Sequence, residues 1–261
     1  MPPSGDLAVV IPAKNESDRI SATVTAAAQL PGVDFVVVVD DGSSDGTGVA
    51  ATAAGAALVR HSRSRGKAAA METGARAVAA MEARHAADGG AARPVPHHLL
   101  FLDADLAGTA AQAGPLAGPV RDGLADMTIA VFSNRVRKGG HGFVVALSGG
   151  GIERATGWRP AEPLNGQRCL TRAAFEAALP LAAGWGAETG MTIDLLRGGM
   201  RVTEVEVPLA HRATGQSWRA QLHRASQFAD VARALAARHP FRRTGRDGYA
   251  GRTGPGRAGR G

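Results

Sequence analysis

The sequence predicts an α/β fold: a βαβ sheet of buried parallel strands with helices on its faces. Three observations carry this. Short apolar runs, Leu7–Ile11 and Phe35–Val39 among them, end abruptly in turn or polar residues, as strands buried on both faces do. Helix-forming stretches separate these runs, and that rhythm implies parallel strands joined by right-handed crossovers. The chain has 261 residues, 44% of them hydrophobic, which is enough for one sizeable core.

The elements follow in order. After the first strand, Ser17–Gln29 reads as a helix stopped by Pro31-Gly32, a pair that breaks helices. The second strand leads to a helix starting at Thr47. A short third strand near Ala57–Arg60 precedes a long Ala-rich helix over Lys67–Ala87. His98–Asp103 and Met127–Phe132 are the fourth and fifth strands. Gly139–Gly151 is so rich in glycine that a mobile loop is expected there. A helix over Ala187–Arg197, a half-exposed alternating strand over Arg201–Leu209 and an amphipathic helix over Gln216–Arg238 complete the body.

Charge and cysteine narrow the class. The net charge is +7, but Arg238–Gly261 holds seven arginines and one acid, leaving +1 for the 237 residues before it. The basic character therefore belongs to a Gly/Arg-rich tail, residues 239–261, expected to be disordered. It offers peripheral contact with an anionic membrane surface, and no specific nucleic-acid partner is expected. The single cysteine, Cys169, excludes a disulfide framework and a cysteine zinc cluster. No apolar stretch reaches membrane-spanning length, and the first residues lack a basic leader, so a cytoplasmic protein is expected.

Ligands of doubly wound sheets sit beyond the carboxyl ends of the strands. Here those ends carry Pro12-Ala13-Lys14-Asn15-Glu16, Asp40-Asp41-Gly42-Ser43-Ser44-Asp45-Gly46-Thr47 and Asp103-Ala104-Asp105. Neither a G-x-G-x-x-G turn nor a P-loop is present, which disfavours dehydrogenases and P-loop NTPases. Carboxylates in place of a glycine cradle imply that a divalent cation neutralises phosphates. Asp103 and Asp105 fall on one side of an extended chain and repel each other unless a cation intervenes. Hard oxygen donors suit Mg²⁺ or Mn²⁺.

The blocks V-V-I-P-A-x-N-E, V-D-D-G-S-x-D-G-T, R-G-K-A-x-A and F-L-D-A-D, in that order over Leu7–Leu106, resemble the GT-A nucleotide-sugar glycosyltransferases of family 2. The later blocks Pro163-Leu164-Asn165-Gly166-Gln167, Gly184-Trp185-Gly186-Ala187-Glu188-Thr189-Gly190 and Val207-Pro208-Leu209-Ala210-His211-Arg212 look like the glucosyl-3-phosphoglycerate synthase family. The segment Ala155–Pro163 departs from that family.

The resemblance implies a single GT-A domain over residues 1–238, on a mixed, mainly parallel sheet flanked by helices, with a nucleotide-binding half over about 7–106 and an acceptor half over about 107–238. It implies a metal-dependent enzyme that moves a hexose from a UDP-sugar to a small soluble acceptor, phosphorylated acceptors included. The alternatives are a polyprenyl-phosphate transferase at the membrane surface and a non-catalytic nucleotide-sugar-binding protein. Pro12, Ala13, Glu16, Asp40 and Ser43 would contact the nucleoside, and Lys67 would reach the nucleotide. Asp103 would hold the ribose or Lys67. Asp105 and His211 would bind Mg²⁺ or Mn²⁺. Asn165, Gly166 and Gln167 would contact the donor sugar. Glu188 would act as a base or hold sugar hydroxyls, with Gly186 and Gly190 letting the backbone approach substrate. A homodimer is left open.

Overall fold

The computed structural model describes residues 6–89, 95–132, 142–209 and 218–238, with side chains from residue 227 onward in the last stretch. β1 (Leu7–Ala13), α1 (Ile20–Ala28), β2 (Val33–Asp40), α2 (Thr47–Ala53), β3 (Ala57–Arg60), α3 (Lys67–Ala87) and β4 (His98–Phe101) make the first half. The second half contributes α4 (Gly118–Arg121), β5 (Met127–Phe132), α5 (Gly142–Thr156), β6 (Arg168–Leu170) and α6 (Arg172–Ala177). It ends with α7 (Ala187–Arg197), β7 (Val202–Val207) and α8 (Trp218–Ala237).

These strands form one seven-stranded sheet in the order β3-β2-β1-β4-β6-β5-β7. β6 alone among them runs antiparallel, between β4 and β5. The expected mixed, mainly parallel sheet is therefore present. β1 is apolar throughout because helices cover both faces of the sheet. Its alternate residues point to opposite sides: Val9 and Ile11 join Ile20, Leu102 and Leu116 in one layer. Ala8 and Val10 join Met71, Val78, Phe101 and Met191 in the other. Gly74 lets α3 lie close on the sheet, since a Cβ there would collide with Val10 and stand 3.3 Å from Val39 Cγ2. Parallel register sets Ala13 beside Asp40 and Asp40 beside Arg60, so the polar strand ends share one edge.

Two expectations are corrected. Residues 142–151 of the glycine-rich stretch are not a loop; they belong to α5. Packing overrides propensity there: a Cβ at Gly151 would come within 2.6 Å of Leu235 Cδ1, and Ser148 Oγ lies 2.7 Å from Thr189 Oγ1. Residues 139–141 lie outside the described residues. The second correction is β6, which the sequence reading omits. A three-residue strand centred on Cys169 is too short to show a period. Among the described residues no helix is long and apolar enough to cross a membrane; the tail over 239–261 lies outside them.

Candidate active site

The loops after β1 and β2 are laced together. Asn15 adopts a positive φ of 57°, a conformation asparagine tolerates. Its N–H donates to Ser43 Oγ at 3.0 Å, and its Oδ1 accepts from the Ser44 N–H at 2.9 Å. The Glu16 N–H donates to Thr47 Oγ1 at 2.9 Å. Pro12 and Glu16 are half-buried beside buried Ala13 and Ser43. Asp40 turns inward and is fully buried. One oxygen accepts from the Ser43 N–H at 2.8 Å, and the other lies 3.3 Å from Arg60 Nε.

Asp41 organises the next loop. Its carboxylate accepts from His61 Nδ1 (2.7 Å), Ser64 Oγ (2.7 Å) and the N–H groups of Arg65 (2.8 Å) and Gly66 (2.9 Å). Burial works to raise its pKa, but the Arg65 N–H, His61, Ser64 and the Gly66 N–H outweigh it and hold the carboxyl at about 2. This network fixes residues 61–66 and delivers Lys67 to the start of α3.

Lys67 is where the two halves meet. Its Nζ lies 2.7 Å from Asp103 Oδ1 and 3.0 Å from Glu188 Oε1. Burial alone would push the ammonium down, yet Asp103 and Glu188 hold it well above the ordinary lysine value. Asp103 Oδ2 accepts from Gln167 Nε2 at 2.7 Å, so of the two expected roles for Asp103 it is the grip on Lys67 that the geometry displays. Gln167 Oε1 is buried with no hydrogen-bond partner. Such an acceptor is costly to leave unmade. Asp105, two residues on, is half-buried, and its carbonyl accepts from Arg19 Nη1 at 3.3 Å.

Asn165 serves the turn that carries Gly166 and Gln167. Its Nδ2 donates to the Ala130 carbonyl at 2.8 Å and its Oδ1 accepts from the Gln167 N–H at 2.9 Å. Both ends of its amide are thus engaged by backbone. The glycines around Glu188 have a different purpose from the expected approach to substrate: they admit α8. A Cβ at Gly186 would stand 2.7 Å from Ala234 Cβ and 2.8 Å from the Asp230 carbonyl, and one at Gly190 would stand 2.8 Å from Arg238 Cζ. Glu188 itself is buried in the first turn of α7.

The sequence reading missed Arg168, which is fully buried beneath this cluster. A charged residue beside Cys169-Leu170 and just before the Thr171 cap of α6 was the available signal. His211 and Arg212 lie outside the described residues. Among the described residues no group of three His, Cys, Asp or Glu gathers as a metal site. Asp103 is engaged by Lys67 and Gln167, so the donor that the β4 end brings to a cation is the Asp105 carboxylate, a hard oxygen ligand that fits Mg²⁺ or Mn²⁺ completed by ligands from elsewhere, such as a diphosphate.

A mainly parallel sheet with one reversed strand and carboxylate-bearing loops after β1, β2 and β4 defines the GT-A class of glycosyltransferase. Residues 8–144 match the family model described as glycosyl transferase family 2. The chain belongs to that family and is a glycosyltransferase. Its fold is shared with solved structures of glucosyl-3-phosphoglycerate synthase from Mycobacterium tuberculosis. One, in complex with Mn²⁺, UDP-glucose and phosphoglyceric acid, has a TM-score of 0.68 at 23% identity, covering 90% of this chain and 80% of that one. A second such complex has a TM-score of 0.65 at 25% identity with the same coverage of 90% and 80%. A further mycobacterial protein has a TM-score of 0.67 at 25% identity, covering 90% of this chain and 75% of its own. A search of curated proteins finds no significant match.

Proposed function

We propose that this glycosyltransferase moves a hexose, glucose or a close relative, from a UDP-sugar to a small phosphorylated acceptor, with Mg²⁺ or Mn²⁺ at the diphosphate. The observation that carries the reading is the cluster Lys67–Asp103–Gln167–Glu188. It sets a cation and an unsatisfied buried acceptor, Gln167 Oε1, side by side at the carboxyl edge of the sheet. The complexes of the M. tuberculosis enzyme with UDP-glucose and phosphoglyceric acid support the choice of donor and acceptor.

In this reading Pro12, Ala13 and Glu16 line the nucleoside, with Asp40 and Ser43 shaping the loop around it. Asp103 holds Lys67, whose charge faces the donor. Gln167 accepts a sugar hydroxyl, and Asn165 and Gly166 keep that turn in place. Asp105 and His211 would hold the cation, which supplies charge neutralisation to the departing diphosphate. The anomeric carbon exchanges its bond to diphosphate oxygen for one to the acceptor oxygen. Glu188 takes the acceptor proton or steadies a sugar hydroxyl while the released UDP takes it.

Thermal unfolding with UDP, UDP-glucose, UDP-N-acetylglucosamine and GDP-mannose, with and without Mn²⁺, tests the donor. A ligand at 100 times its dissociation constant adds about 2.7 kcal/mol. A metal-dependent rise with UDP-glucose that disappears in Asp105→Ala is the expected result. No rise with any nucleotide would overturn the reading.

A further inference from the structure

Among the described residues Arg168 heads the large side chains that the fold buries completely. It stands in β6 opposite Phe101 on β4 and Ile129 on β5, against an otherwise apolar layer. Burying a guanidinium there is costly unless its donors are met. They are met on two separate pieces of chain. Nε donates to the Asn165 carbonyl at 2.8 Å and Nη2 to the Pro163 carbonyl at 3.0 Å. Nη1 donates to the Glu188 carbonyl at 3.1 Å and to Thr192 Oγ1 at 2.9 Å. Thr192 Oγ1 in turn donates to the same Glu188 carbonyl at 2.8 Å.

The first piece carries Gly166 and Gln167, which meet Lys67 and Asp103. The second carries Glu188, which also meets Lys67. Neither piece is tied to the other by regular secondary structure, and a planar fork with five donors spans acceptors that a lysine's point charge cannot.

We propose that Arg168 is a positioning residue: its buried guanidinium locks the Pro163–Gln167 turn to the first turn of α7 and so sets Glu188 and Gln167 at the spacing that holds Lys67. The proposal rests on the reading of that cluster as the donor site only for its consequence in catalysis; the clamp itself is independent of donor identity.

The test reads the Lys67 environment directly, without substrate. The full chain is trace-labelled with acetic anhydride, and Lys67 is compared with exposed Lys14 by mass spectrometry. In Arg168→Met, Glu188 drifts from Lys67 and the share of free amine rises, tenfold for each unit of pKa lost. About a tenfold rise in Lys67 labelling is expected, with part of it reversed in Arg168→Lys. Thr192→Val removes one acceptor while keeping the volume and gives a smaller rise in the same direction. A cooperatively melting Arg168→Met protein whose Lys67 labels like the wild type overturns the clamp. Should Arg168→Met fail to fold, Thr192→Val decides: a rise supports the proposal and wild-type labelling overturns it. Absence of any nucleotide-induced thermal shift in the wild type would defeat the donor reading and leave this labelling result untouched.

Discussion

The ammonium of Lys67 occupies the space that a β-carbon on residue 166 would need, and that carbon would also come within 2.9 Å of Asp103 Oδ1. Glycine at 166 thus leaves room for the Lys67 ammonium between Asp103 of the first half and Glu188 of the second. Overpacking of this kind costs about 1–3 kcal/mol, but here the group displaced is the ammonium proposed to face the donor. Gly166→Ala is expected to lower transfer from UDP-glucose at least about tenfold, the equivalent of roughly 1.4 kcal/mol in the barrier. Steady-state kinetics beside a melting curve check this. A variant with unchanged kcat/KM would show that Lys67 has no part in transfer.

Removing the cation should expose the opposite problem. Lys67→Met leaves the Asp103 and Glu188 carboxylates facing the same gap, Glu188 almost wholly buried. Losing one partner of a buried pair costs about 3–5 kcal/mol, and the lower end applies because Lys67 and Asp103 are each about a quarter exposed. Adding Glu188→Gln to Lys67→Met should restore part of that stability in urea melts. Strictly additive losses would argue against the coupling.

Asp41 predicts an acid limb. Its carboxyl is held at about 2 in the fold against about 3.9 in the unfolded chain. A depressed carboxyl contributes stability that is present above the unfolded value and is lost as pH falls through the folded one. The window is therefore roughly pH 4 down to pH 2, and the contribution on the order of 2 kcal/mol. In Asp41→Asn the stability deficit should be full at pH 7 and shrink across that window. Urea denaturation at several pH values measures it, and a deficit that does not change with pH would contradict the assignment.

The glycines before α7 predict a contrast. Gly186→Ala places a methyl 2.8 Å from the Asp230 backbone oxygen, whereas Gly108 has nothing within 4 Å of a Cβ. Gly186→Ala should lose about 1–3 kcal/mol, which in a domain of this size lowers Tm by roughly 2–4 °C for each kcal/mol. Gly108→Ala should melt within a degree or two of wild type. Equal melting temperatures would mean that α8 shifts aside without cost.

Much of the fold was legible along the chain. α3, β5 and α7 run over Lys67–Ala87, Met127–Phe132 and Ala187–Arg197, the ranges that apolar runs and their terminators predict. The motif residues after β1, β2 and β4 were legible for a related reason: a run of Asp, Gly and Ser directly after an apolar strand marks the sheet edge where ligands sit. What those side chains face was not. Asp40 and Asp41 are neighbours in one motif, yet one lies under its own loop and the other gathers the His61–Gly66 segment.

The amino-acid order was sufficient for the class of sheet, the sequence of its elements and the edge that carries the chemistry, because strand burial, helix propensity and turn residues act over a few neighbours. It was insufficient for α5, β6, the purpose of Gly186 and Gly190, and Arg168. Each of those depends on a partner distant along the chain: Leu235 against Gly151, β4 against β6, Ala234 and Arg238 against Gly186 and Gly190, and Glu188 and Thr192 around one guanidinium. Packing and buried hydrogen bonding settle such features through contacts that exist only once the halves have met, so they leave no period or local signal to read.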